Sequence, residues 1–86
     1  MLTDQQLLER AINKMFEIAG HNVKFEDIVK RQDEWYTEYT MTREQNDEWV
    51  DWVTRLIRKE RRHLNKKYAQ YNANMINLAY GLKVII

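Results

Sequence analysis

Ionisable side chains that could perform acid–base or metal chemistry are common in this sequence, but their spacing does not group them into a site. The two histidines, His21 and His63, lie far apart and do not show the His-x-x-x-His spacing of a helical metal site. Three pairs of carboxylates are spaced four residues apart, as in metal-binding helical bundles: Glu34/Glu38, Glu44/Glu48 and Asp47/Asp51. Because these pairs lie on the helix face opposite the apolar residues, we predict that the carboxylates are solvated and do not bind a metal.

Nucleophilic and phosphate-binding chemistry lacks its usual residues. The 86 residues include no Cys and no Ser, which excludes cysteine and serine nucleophiles, disulfides and thiolate zinc sites. Only 2 Gly are present, so there is no glycine-rich phosphate loop. We therefore predict a protein that is not an enzyme, with no catalytic residue, no bound metal and no cofactor.

A run of cations is the first candidate for a binding site. Residues 1–54 carry 6 Lys+Arg against 12 acids, whereas residues 55–86 carry 8 against Glu60 alone, so a net charge of +1 hides a split of −6 and +7. Seven cations form the candidate basic patch: Arg55, Arg58, Lys59, Arg61, Arg62, Lys66 and Lys67. Such a patch could neutralise nucleic-acid phosphates, with Tyr68 and Tyr71 stacking on bases. The same charge gradient also complements the dipole of a helix, which explains part of it without any ligand. The alternatives are therefore that the patch faces an acidic protein surface or solvent.

Aromatic residues, 12% of the chain, are the second candidate. Trp49 and Trp52 lie three residues apart on an apolar stripe and are predicted to pack in the core. Trp35 and Tyr36 are adjacent, so no regular element turns both inward. The candidate interface aromatics are Trp35, Tyr36 and Tyr39, since Trp and Tyr are frequent anchors of protein interfaces.

Helical spacing of apolar residues predicts the first of three long helices over residues 4–19. Thr3 and Gln6 are placed to form a capping box at its start, and Gly20 to end it in a left-handed conformation. Its apolar face comprises Leu7, Leu8, Ala11, Ile12, Met15, Phe16 and Ala19.

Two further helices are predicted over residues 43–61 and 66–80. Thr42 and Gln45 form a second capping box, and Asn65 is a good N-cap for the last helix. Gly81 is expected to end that helix in a Schellman-type turn. The last helix carries the following residues at helical spacing: Tyr68, Tyr71, Asn72, Met75, Ile76, Leu78 and Ala79.

Residues 21–41 do not follow one pattern. They are predicted as a short helix near 25–31 or an irregular aromatic segment, while β-branched and aromatic residues at 35–40 also favour a strand. Residues 83–86 form a short apolar tail that we expect to pack within the chain. The predicted fold class is all-α: one domain over residues 1–86, a compact bundle of three main helices.

No apolar run approaches the ~20 residues that cross a bilayer, and the N-terminus lacks the features of a signal peptide. We therefore expect a soluble cytoplasmic protein without a membrane partner.

Four short motifs stand in a recognisable order. They are Gly-His-Asn-Val-Lys-Phe at 20–25, Trp-Tyr-Thr-Glu-Tyr-Thr-Met-Thr at 35–42, Trp-Val-Asp-Trp at 49–52 and Tyr-Gly-Leu-Lys at 80–83. Together they resemble small proteins of unassigned activity encoded by tailed bacteriophages. The resemblance implies a small protein in the cytoplasm of an infected bacterium and carries no functional residue over.

These features predict a small non-enzymatic interaction protein that binds a host or phage protein, as inhibitors of host or defence proteins do, and that could form a homo-oligomer. The alternative is a nucleic-acid-binding module that uses the basic stretch 55–67. A structural or assembly component of the virion is a further alternative.

Overall fold

Helices make up most of the described chain, and two short strands complete it. A computed structural model describes residues 1–28 and 39–85. Its radius of gyration is 12.5 Å, close to the ~12 Å of a compact chain of this length. The elements in chain order are α1 Asp4–Ile18, α2 Phe25–Ile28, β1 Thr40–Thr42, α3 Arg43–Glu60, α4 Lys66–Tyr80 and β2 Lys83–Ile85.

Side-chain caps begin the three long helices where the sequence predicts them. The Thr3 hydroxyl accepts the backbone N–H of Gln6 at 3.1 Å, and the Gln6 side chain accepts the N–H of Thr3 at 2.9 Å. Thr42 and Gln45 form the same reciprocal pair at 3.1 and 2.8 Å. Asn65 caps α4 through its side-chain oxygen, which accepts a backbone N–H three residues ahead at 2.9 Å. These bonds satisfy N–H groups that have no partner within the helix.

The C-terminal ends of α1 and α4 differ. Gly20 has a φ of 80°, and the N–H groups of Gly20 and His21 donate to the carbonyls of Glu17 and Phe16 at 3.1 and 2.9 Å. This is the Schellman geometry, and it confirms the predicted role of Gly20.

Gly81, by contrast, is extended, with a φ of −66° and a ψ of 148°, so the Schellman-type turn predicted there is wrong. The N–H of Gly81 donates to the Asn77 carbonyl at 2.6 Å, and a Cβ at Gly81 would collide with that carbonyl oxygen. Glycine therefore permits a close backbone approach that leads α4 directly into β2.

The chain segment after α4 pairs with the segment before α3. β1 and β2 run parallel, with Met41 opposite Val84. Met41 is buried and Val84 packs against the core, whereas Ile85 is 53% exposed, so only part of the apolar tail packs within the chain as predicted. The protein is therefore mostly helical, and the all-α prediction missed this two-stranded ladder because its partners are far apart in sequence.

Helix α3 lies at the centre of the fold. It packs against both α4 and α1, whereas α1 and α4 contact each other little, so a bundle of three mutually packed helices is not confirmed. All three long helices contribute fully buried residues to one hydrophobic core, including Phe16, Trp49, Val53 and Ala73. The indole Nε1 of Trp49 donates to the Ala11 carbonyl at 2.7 Å and ties α3 to α1.

The two tryptophans predicted for the core have different environments. Trp49 is fully buried, but Trp52 is half-buried, and the Lys14 Nζ lies 5.2 Å from its ring centroid. That distance is within the range of a cation–π contact. Trp52 therefore packs on the edge of the core.

Candidate interaction surface

Four large apolar side chains on α4 face solvent. Tyr68 is 61% exposed, Tyr71 59%, Met75 46% and Leu78 81%. Their separations of three, four and three residues place them along one side of the helix. We call this surface the α4 stripe.

The exposure of the α4 stripe follows from which side of α4 meets the core. Ala69 and Ala73 are fully buried, and Ile76 and Tyr80 pack beside them. These four residues also follow helical spacing, and their two alanines allow α4 to lie close to α3. Of the large residues that the sequence places at helical spacing on α4, Ile76 therefore packs against the core, while those of the α4 stripe point away from it.

The α4 stripe lies on a helix that carries little charge. Residues 66–80 include no acid, and their only charged residues are Lys66 and Lys67 in the first turn. Gln70 and Asn74 lie exposed beside the stripe. An exposed helix face of Tyr, Met and Leu, with a cation only at its N-terminal end where Lys67 lies beside the two tyrosines, differs from an ordinary solvated surface and is typical of a protein interface.

An open groove between α1 and α4 continues the α4 stripe on one side. It has a volume of about 520 Å³. Its apolar walls comprise Leu7, Leu8, Leu64, Met75 and Ile76, and we call it the α1/α4 groove. Asp4, Arg61 and His63 also line it. Met75 belongs to both features, so the stripe and the groove form one surface.

Arg61, predicted as part of the basic patch, is used by the fold. Its Nη2 donates to Asp4 Oδ1 at 2.8 Å and to the Leu2 carbonyl at 3.0 Å, and its side chain is only 19% exposed. These bonds hold the N-terminal residues against the end of α3. Arg61 is therefore an internal tie rather than a free cation.

We expect Arg61→Ala to lower the free energy of unfolding by about 1–2 kcal/mol, because it removes a charge-assisted hydrogen bond to the Leu2 carbonyl. Asp4 adds little, since its side chain is fully exposed. Urea denaturation measures the change. Arg62→Ala is the matched control, since Arg62 is exposed and should change stability by less than about 0.5 kcal/mol. Equal losses for both variants would show that the contacts of Arg61 do not stabilise the fold.

The other cations of the predicted patch remain at the surface. Arg55 pairs with Asp51 at 2.9 Å, and both side chains are mostly exposed. The remaining five are exposed and form no ion pair within the described part of the chain: Arg58, Lys59, Arg62, Lys66 and Lys67. We call these five the outer cations. They lie at the C-terminal end of α3 and the start of α4, so the patch is smaller than predicted but remains in one region of the chain.

Tyr39, one of the predicted interface aromatics, packs against the interior. Its ring centroid lies 5.4 Å from that of Phe16 and 5.0 Å from that of His21, in edge-to-face geometry. His21 Nε2 donates to the Thr40 carbonyl at 2.9 Å and so joins the end of α1 to β1. Tyr39 and His21 therefore have packing roles, while Trp35 and Tyr36 lie outside the described residues.

A metal-binding cluster does not form among residues 1–28 and 39–85. No group of three or more His, Asp or Glu side chains in that part of the chain could hold a metal ion. The carboxylates of α3 with four-residue spacing are all exposed: Glu44, Asp47, Glu48 and Asp51. Within the same residues, every buried side-chain polar atom has a hydrogen-bond partner. The described surface offers three candidate contact features: the α4 stripe, the α1/α4 groove and the outer cations.

Comparison with known proteins adds no family. No protein-family model, no curated protein and no solved structure matches this chain. Among the described residues, no helix combines the length and the apolar character that crossing a membrane requires.

Proposed function

We propose that this chain is a protein-binding module without enzymatic activity, and that it contacts its partner through the α4 stripe and the α1/α4 groove. The observation that supports this most directly is the exposure of Tyr68, Tyr71, Met75 and Leu78 along one side of α4, where Lys67 lies beside the two tyrosines at the N-terminal end. Tyr and Met are enriched at the centres of interfaces, where charged residues are depleted. In this proposal the three long helices act together as a bundle, in which α3 supports the two helices that border the groove.

The size of the surface agrees with a specific contact. At roughly 150–200 Å² for each large side chain, the exposed fractions of the α4 stripe amount to about 400 Å². Monomers rarely leave larger contiguous apolar patches in water. A standard interface buries ~800 Å² on each partner, so the stripe supplies about half and the groove with its polar rim can supply the rest.

The geometry favours a helical partner. An amphipathic helix that docks on another helix presents side chains at separations of three and four residues, which match the separations within the α4 stripe. The adjoining groove offers a recess for a large apolar side chain. If the chain is phage-encoded, as its motifs suggest, a host protein that it inhibits is the first partner to seek.

Affinity capture with a charge variant tests the proposal. We expect Leu78→Glu to abolish capture of the partner, because it places a carboxylate in an interface that excludes water. Gln70→Glu is the matched control, since it adds the same charge to an exposed position of the same helix, outside the stripe. Mass spectrometry of the captured proteins gives the result. Equal capture by both variants would contradict the proposal, and helical circular dichroism checks that both are folded.

Nucleic-acid binding is the second candidate, and the outer cations favour it. They have no ion pair within the described residues, so they are free to contact phosphates. If they do, affinity for DNA or RNA falls steeply with salt, and replacing Arg58 and Arg62 by Glu reduces both the affinity and its salt dependence. Fluorescence anisotropy at several salt concentrations measures this. Absence of binding at low salt would exclude it, and capture that requires intact nucleic acid would favour it over a protein partner.

A further inference from the structure

The order of residues along the α4 stripe has a symmetry that a general binding surface does not need. The separations of three, four and three residues read the same in both directions. The N-terminal half of the stripe is aromatic, with Tyr68 and Tyr71, and the C-terminal half is aliphatic, with Met75 and Leu78. When two α4 helices are laid antiparallel, Tyr68 of each meets Leu78 of the other, and Tyr71 meets Met75.

We propose that the partner of the α4 stripe is a second copy of this chain. The two α4 helices pack antiparallel about a two-fold axis that crosses them at the level of Ala73. This inference rests on the proposed function and names its partner. Every large side chain of the stripe then has a counterpart. Each tyrosine contacts an aliphatic side chain, including the favourable contact between a methionine sulfur and an aromatic ring.

The charges of α4 select the antiparallel orientation. Lys66 and Lys67 lie in the first turn, where cations oppose the helix dipole, and the last turn carries no charged residue. In a parallel pair the four lysines would gather at one end and repel each other. In an antiparallel pair they lie beside the negative, C-terminal end of the partner's α4. The complementarity is thus between each copy's lysines and the other copy's helix terminus.

The residues that flank the stripe allow this contact. Asn72, Asn74 and Ala79 are small and uncharged, so along most of their length two α4 helices can approach to the 8–10 Å of ordinary helix packing. Lys67, beside the two tyrosines, lies at each end of the contact. The two stripes together contribute about 800 Å² of apolar surface, and the flanking residues extend the contact toward the ~1,200 Å² of a small stable interface. The area therefore corresponds to a weak dimer, at or below the lower end of the usual range.

Analytical ultracentrifugation of the full chain tests the dimer. We expect the wild-type chain and Gln70→Glu to sediment at twice the mass of one chain at high micromolar concentration, and Leu78→Glu to sediment as a folded monomer. A wild-type chain that stays monomeric at that concentration would overturn the inference. If the wild-type chain is a monomer that captures another protein, and Leu78→Glu abolishes that capture, the proposed function stands with a different partner. If the wild-type monomer captures nothing, both fail.

Disulfide trapping tests the orientation, because the chain has no Cys of its own. The variants Tyr68→Cys and Leu78→Cys are prepared separately, mixed and oxidised under mild conditions. The antiparallel pairing predicts that a disulfide forms between Tyr68→Cys and Leu78→Cys in preference to a disulfide between two copies of the same variant. Preferential crosslinking of Leu78→Cys with itself would contradict the antiparallel arrangement.

Discussion

Trp49→Ala is expected to lower the free energy of unfolding by about 3–5 kcal/mol. Trp49 is fully buried on α3 and belongs to the hydrophobic core that all three long helices share. Its indole N–H also donates to the Ala11 carbonyl, so truncation leaves a cavity and removes a tie between α3 and α1. A domain of this length is stable by only ~4–13 kcal/mol, and the variant therefore loses a large part of its stability.

Urea denaturation followed by circular dichroism measures this loss, and Trp52→Ala is its control. Trp52 lies one turn further along α3, but it is only half-buried, at the edge of the core. We expect its truncation to cost less than about 2 kcal/mol. A loss for Trp52→Ala as large as that for Trp49→Ala would show that the core does not centre on Trp49.

Tyr71→Ala is expected to weaken the complex with the chain's protein partner at least about 30-fold, which corresponds to the ~2 kcal/mol of an interface hot spot. Tyr71 lies in the middle of the α4 stripe, where a docked partner removes its ring from water. In the free chain the ring is 59% exposed, so its removal should leave the fold intact. Titration calorimetry with the captured partner, or sedimentation equilibrium if the partner is a second copy, measures the affinity.

Gln70→Ala is the control for that measurement, since Gln70 precedes Tyr71 on α4 but lies outside the stripe. Its affinity should remain within about two- to threefold of the wild type, because Gln70 lies outside the proposed binding surface. If Tyr71→Ala bound as tightly as Gln70→Ala, the interface would lie on another face of the protein.

The helix bounds could be predicted because local chemistry determines them. Thr3 and Thr42 with their glutamine partners define where α1 and α3 begin, and Asn65 does the same for α4. Each signal lies within a few residues of the helix end that it sets. The predicted and observed bounds therefore agree to within a residue, without any knowledge of tertiary contacts.

The orientation of α4 could not be predicted because two sets of its residues fit helical spacing. Hydrophobicity favours the set with Tyr68 and Leu78, whereas the core takes the set with Ala69 and Ala73. The deciding factor is how closely α4 approaches α3, which depends on side chains of both helices. Paired alanines four residues apart were the signal in the sequence, since small residues permit close helix packing.

The strand pair and the role of Arg61 depend on contacts between distant residues. Met41 meets Val84 across the parallel ladder, and Arg61 reaches Asp4 and the Leu2 carbonyl near the other end of the chain. The sequence shows only an apolar tail and a run of cations at these places. Tertiary contacts determine that the tail forms a strand and that Arg61 bonds to the N-terminal residues rather than remaining an exposed cation of the basic patch.

Site-specific photo-crosslinking in cells tests most directly whether the α4 stripe is a protein interface. A photoreactive amino acid replaces Leu78, which is 81% exposed in the free chain, and in a second strain it replaces Gln70 on the same helix. We predict a discrete crosslinked protein product from position 78, either with a second copy or with another protein, and little from position 70. No product from position 78, or equal yields from the two positions, would contradict the assignment of the α4 stripe as the binding surface.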